Sequence, residues 1–233
     1  MQTAEAKTGY EAGLKEYVNR ERAAVDLMNS VGQLMYGKGV ELVFFRNHLL
    51  DISISEAIKL FGYAEQVVKK PIDVFTTADV ARGLLALDLA PSKIDIGKLT
   101  HEFTISGGKS IPEFLISHLG GFIGQDKLTF QPQDVVLYGF GRIGRIAARE
   151  LVKQAGKGQQ LRLRAIVTRT LTDAEIVKRA ALLRNDSVHG TFKGTVTEDV
   201  PNKAIWVNGQ LIQLIAASNP EDVDYTAYGI ENA

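Results

Sequence analysis

From Tyr10 to Tyr36 the apolar residues Leu14, Tyr17, Val18, Val25, Met28 and Met35 recur at spacings of three, four and seven, the pattern of one helix face. Gly37 and Gly39 end that helix. A second apolar stretch, Val40 to Leu50, is followed by Ser53 and Glu56 at capping-box spacing, which opens a helix running to about Val68 and closed by Pro71. Thr76 or Thr77 is positioned to cap a helix through Leu89, stopped by Pro91, and Ser92 to cap another through about Phe103. Ser110 and Glu113 repeat the box around Pro112, for a short helix ending at Gly120-Gly121. The pattern thus predicts an all-helical module over residues 1–123, with about five or six helices and no strand.

After a linker at 124–133, bracketed by Gly124 and Pro132, the periodicity changes. Asp134 to Tyr138 is a short apolar strand, and Leu161 to Thr168 is a second with β-branched residues toward its end. Between them Ile143, Ala147 and Leu151 fall on one helix face, with Gly156 and Gly158 at its end. Thr172 and Glu175 form a third capping box, opening a helix whose Ile176, Ala180 and Leu183 face one way. Asn208-Gly209 between Ile205-Trp206-Val207 and Leu211-Ile212 is a hairpin signal, because both turn residues must take positive φ. The fold class expected is therefore α/β: the all-helical module, then an incomplete Rossmann-type parallel sheet over residues 134–233.

Composition narrows the function. Of 233 residues, 45% are hydrophobic and 23% charged, as in a globular protein with a core. Lys plus Arg and Asp plus Glu each number 27, so no net field draws the chain to nucleic acid or an anionic membrane. The polar start has no secretory pattern and no apolar run is long enough to span a bilayer, which makes a cytoplasmic location the default expectation. There are no cysteines, hence no disulfide, thiolate metal site or cysteine nucleophile in these residues. His48, His101, His118 and His189 are isolated, with no metal-ligand spacing, and no metal is expected.

The chemistry concentrates at Gly139-Phe140-Gly141-Arg142-Ile143-Gly144, a GxGxxG that directly follows a strand and opens a helix. Gly139 permits the tight turn, Gly141 lets backbone approach a pyrophosphate, and Gly144 lets helix and strand pack closely. Amides at the helix start then hold the negative charge. The competing reading is a plain tight turn. An acid normally ends the second strand of such a fold and binds the ribose hydroxyls, but Thr168-Arg169-Thr170 stands there. Arg169 suits a ribose 2′-phosphate, with Thr168 or Thr170 adding hydroxyl donors; the alternative is a solvated surface arginine.

These residues support a family resemblance. The run Val135 to Arg145 resembles the opening of the glyceraldehyde-3-phosphate dehydrogenases, Asn185-Asp186-Ser187-Val188-His189-Gly190-Thr191-Phe192 resembles their Asp-Ser-Val-His-Gly segment, and Val207-Asn208-Gly209 with Leu211 to Ile215 is similar to the hairpin that follows. The helical front resembles, by overall pattern, the N-terminal extension of the longer bacterial form. The resemblance implies oxidative phosphorylation of glyceraldehyde 3-phosphate, with NAD or NADP accepting hydride and the backbone of Arg142 and Ile143 meeting the pyrophosphate. Asp186 to Gly190 would be structural, and the full-length enzyme a homo-oligomer. A sister enzyme acting on erythrose 4-phosphate shares these features.

Three departures stand out. Arg169 occupies the position of the family's usual acid, Ser218 that of an arginine near the adenine, and the Ser-Cys-Thr-Thr-Asn nucleophile motif is absent. The segment Tyr228 to Ala233 reads as the approach to a further strand, so the expectation is a truncated piece of a longer enzyme, inert alone. Two other classes compete: a nucleotide-sensing regulatory domain of the potassium-transporter type, whose Gly-Tyr-Gly-Arg-Val-Gly turn is similar, and a helical interaction module attached to an inert nucleotide fold.

Overall fold

A computed structural model of the chain describes residues 2–124, 132–155 and 161–230. The chain divides into two compact units, Met1–Leu128 and Thr129–Ala233. Most of the expected linker, the helix end at Gly156 and Gly158, and the last three residues lie outside the described residues.

The first unit begins with α1 (Gln2–Gly32), which packs on α3 (Val74–Ala86) and α2 (Ile54–Tyr63). Its buried face is Ala23, Ala24, Leu27 and Val31, continued by Leu34 just past its end, whereas Leu14, Tyr17 and Val25 are exposed. The expected stripe thus mixed two faces. Small alanines that let helices approach closely carry little weight in an apolar count but mark the packed side. The helix widens over Gln33–Lys38 and stops at Gly39, in the left-handed region at φ 71°. Lys38 there donates from Nζ to the carbonyls of Leu85 and Leu87, both at 2.5 Å, satisfying the C-terminal end of α3.

The unit is mainly helical but not all-helical, which corrects the expectation. Val40–Phe44 is β1, central in a three-stranded sheet with β2 (Asn47–His48) antiparallel and β3 (Ser92–Asp95) parallel to it. A short apolar run does not distinguish strand from buried helix by periodicity. Ser92 is consequently a strand residue, and α4 (Ile96–Ile105) is capped instead by Asp95, which accepts from the Lys98 amide at 3.0 Å. Likewise α3 is capped by Asp73 on the Thr76 amide at 2.8 Å, not by Thr76 or Thr77. The boxes Ser53/Glu56 on α2 and Ser110/Glu113 on α5 (Ile111–Leu119) form as expected.

In the second unit β4 (Gln133–Tyr138), β5 (Leu161–Thr168) and β10 (Gln210–Ala216) are parallel and adjacent, and β9 (Ala204–Val207) and β8 (Val196–Asp199) continue the sheet antiparallel. Helix α6 (Arg142–Gln154) joins β4 to β5, and α7 (Asp173–Arg184) follows β5 behind the expected Thr172/Glu175 box. Ile176, Ala180 and Leu183 are all buried in one core with Ala148, Val152, Leu163, Ile166 and Leu214. The hairpin β9–β10 turns on Asn208 (φ 49°) and Gly209 (φ 77°), as its sequence requires. A small second hairpin pairs β6 (Asn185–Asp186) with β7 (Gly190–Thr191).

Candidate nucleotide-binding site

The carboxyl ends of the three parallel strands converge: Gly139 N bonds to the Val167 carbonyl at 2.8 Å, and Ala217 N to that of Thr168 at 3.0 Å. Open α/β sheets bind ligands beyond such strand ends. The GxGxxG turn lies there, between β4 and α6. Gly139 has φ 87°, a conformation that disfavours any side chain. A Cβ on Gly144 would stand 2.5 Å from the Gly139 carbonyl oxygen, so that glycine is needed for the turn to close against its helix. A Cβ on Gly141 would meet nothing within 4 Å, leaving open space on that side of the turn.

Gly141 is also the N-cap of α6, with no side-chain cap and no acid in the first turn. The first intrahelical bond comes from Arg145 N to Gly141 O at 3.0 Å. The amides before it lack intrahelical acceptors and form the positive end of the helix dipole. Ile143 was expected on the core face with Ala147 and Leu151, yet it is 83% exposed, while Ala148 and Val152 are buried. The turn therefore presents an apolar side chain beside free amides, which fits a ligand with apolar and phosphate parts. Phe140 packs into the core, so only its backbone faces the turn.

At the end of β5 the candidate donors separate. Thr168 is buried and its hydroxyl donates to the Thr170 carbonyl at 2.9 Å. Thr170 donates to Glu175 at 2.7 Å, which holds that carboxyl below the usual glutamate range together with the Thr172 amide. Arg179 donates to the Thr170 carbonyl at 2.9 Å. Arg169 and Thr170 are both exposed, but of the three residues only Arg169 has a side chain with no hydrogen-bond or ion-pair partner among the described residues.

Residues that the sequence did not mark also reach the site. Tyr138, half exposed at the end of β4, donates its hydroxyl to the carbonyl of Ser218 beyond β10, tying the outer strand ends together. Arg145 and Asp186 pair at 2.9 Å behind the turn. Asp186 lies in a segment marked only by resemblance, and no local spacing connects it to Arg145.

A family model described as the NAD binding domain of glyceraldehyde 3-phosphate dehydrogenase matches residues 133–233. Those residues belong to the glyceraldehyde-3-phosphate dehydrogenase family. A glyceraldehyde-3-phosphate dehydrogenase-like protein of Pseudomonas aeruginosa is 40% identical over 207 residues, 87% of this chain and 45% of the relative. That alignment is longer than the NAD-binding domain, so the similarity takes in much of the first unit. The glyceraldehyde-3-phosphate dehydrogenases of Lactococcus lactis and Bacteroides fragilis are 36% identical over 97 residues and 40% identical over 91, covering 42% and 39% of this chain. The chain spans about half (45%) of the Pseudomonas relative and about a quarter of the other two (26% and 25%). These matches favour the dehydrogenase over the transporter-type sensing domain. Among the described residues no helix is long and apolar enough to cross a membrane, and no cluster of His, Asp or Glu forms a metal site.

Proposed function

We propose that this chain is the cofactor-binding portion of a phosphorylating glyceraldehyde-3-phosphate dehydrogenase. The observation that carries the reading is the open, uncapped turn at Gly141–Ile143, set at the ends of three parallel strands inside a domain of that family. A bound nicotinamide dinucleotide supplies the hydride acceptor. The chain's own part is to hold it: the amides of Arg142 and Ile143 take the pyrophosphate, Gly139 and Gly144 keep the turn tight, and Ile143 offers an apolar surface. The substrate class is an aldehyde phosphate, glyceraldehyde 3-phosphate or its sister erythrose 4-phosphate. With no cysteine among 233 residues, the thiolate that attacks the aldehyde is not in this sequence, and the chain alone turns over no substrate. The complete enzyme, in this reading, is a cytoplasmic homo-oligomer with no nucleic-acid or membrane partner.

The same reading extends to NADP. An acid at the end of β5 would repel a 2′-phosphate, whereas Arg169 attracts it, and solvent screening keeps the effect on the order of tenfold. The test is titration of the purified chain with NAD and NADP, wild type and Arg169→Asp. NADP should bind at least as tightly as NAD, and the substitution should shift preference toward NAD by about tenfold. Strong wild-type preference for NAD, unchanged by the substitution, would leave Arg169 a surface residue and remove the NADP reading. Aldehyde-phosphate turnover above background, in a sample of verified mass, would contradict the inert-chain reading.

A further inference from the structure

The β6–β7 hairpin and the glycine turn are joined by one buried ion pair. The Asp186 side chain is 2% exposed and that of Arg145 14%. One carboxylate oxygen, Oδ1, accepts from the Val188 and His189 amides at 3.0 and 3.1 Å and closes the hairpin. The other, Oδ2, accepts from Arg145 Nη2 at 2.9 Å. Arg145 in turn reaches the Phe140 carbonyl with Nη1 at 3.5 Å, between Gly139 and Gly141. The Val188 amide, then Arg145, then the His189 amide hold the carboxyl well below the usual aspartate range, so it stays charged. A pair this buried is sensitive to loss of either member, because the other is left uncompensated.

A turn containing three glycines has much conformational freedom, and freedom that must be lost on binding weakens binding. We propose that Arg145 and Asp186 are positioning residues for the dinucleotide: the hairpin carboxylate fixes the guanidinium, and the guanidinium fixes the Phe140 carbonyl, presetting the amides of Gly141 to Ile143. The segment from Asp186 to Gly190 is then part of the binding machinery and not only a structural hairpin. This rests on the cofactor reading of the same turn.

The plain alternative is a staple that stabilises the fold and leaves affinity alone. Three substitutions separate the two. Asp186→Asn keeps an oxygen for the hairpin amides but turns an uncharged amide toward Arg145. Arg145→Met keeps apolar length and removes the bridge. Arg145→Lys keeps a charge for Asp186 but loses the forked reach to Phe140. NAD and NADP dissociation constants of the whole chain are measured well below its unfolding temperature, together with thermal stability and amide hydrogen exchange at residues 141–144.

Each substitution should weaken both cofactors by about tenfold, with Arg145→Lys doing so at nearly unchanged thermal stability. The double variant Asp186→Asn with Arg145→Met should bind no more weakly than either single one. Exchange at the turn should quicken in all of them. Affinities within twofold of wild type in the folded variants, or losses that simply add, overturn the positioning role. If Asp186→Asn and Arg145→Met do not fold, Arg145→Lys decides alone. A wild type that binds neither cofactor would sink the cofactor reading itself, whereas a binding wild type with unaffected variants sinks only the positioning role.

Discussion

In the first unit the helices α2, α3, α4 and α5 are each closed at their N-terminus by a side chain, from Ser53, Asp73, Asp95 and Ser110. In the second unit α7 is closed the same way by Thr172, but α6 begins at Gly141 with no side-chain cap. A capped end has its donors satisfied from within the chain and is finished once folded. An uncapped end facing open space keeps donors and dipole for something else. The same element, a helix start, thus serves folding at α2 to α5 and α7, and in the function proposed above serves binding at α6.

The largest expected effect tests whether the first unit's core is separable from binding. Phe114 is fully buried, with its ring 5.3 Å from that of Phe103. Phe114→Ala should destabilise that unit by about 3–5 kcal/mol, read by denaturant unfolding, with cofactor affinity unchanged at low temperature. A parallel loss of affinity would show that the comparison treats as separate what is coupled.

Gly144→Ala comes next, since its Cβ would press 2.5 Å against the Gly139 carbonyl, a backbone atom with little room to give. It should cost about 1–3 kcal/mol as overpacking and at least tenfold in dinucleotide affinity, measured by calorimetric titration. Normal binding by this variant would mean that the turn tolerates being pushed off its helix.

The smallest effects on stability sharpen the comparison most. Ser53→Ala should cost about 1 kcal/mol of stability and leave binding intact. Gly141→Asp should do the reverse, stabilising by a few tenths of a kcal/mol as a new cap while abolishing cofactor binding by placing a carboxylate where the pyrophosphate goes. Thermal unfolding and fluorescence titration of the two variants side by side make the check. Retained binding in Gly141→Asp would mean that the open helix end is not the anion site.

What the sequence determined by itself is whatever depends on neighbours a few residues apart. The boxes Ser53/Glu56, Ser110/Glu113 and Thr172/Glu175 and the Asn208-Gly209 turn were legible because one turn of helix or hairpin supplies both partners. The glycine turn was legible for the same reason, with its strand before and its helix after. Tertiary structure decided the rest. β1 became a strand by pairing with β3, Val40 opposite Ser92, across half the first unit, and that pairing also moved the cap of α4 from Ser92 to Asp95. Ile143 reads as a core residue from its spacing, and only the path of α6 over the sheet leaves it exposed. At the end of β5 the hydroxyls of Thr168 and Thr170 turn to the Thr170 carbonyl and to Glu175, while Arg169 stays exposed, a division that no local spacing announces. The Arg145–Asp186 pair joins residues 41 apart, and at that separation no periodicity carries information. Local order is written in propensity and spacing, whereas which groups end up buried, paired or free is settled by elements packing against each other.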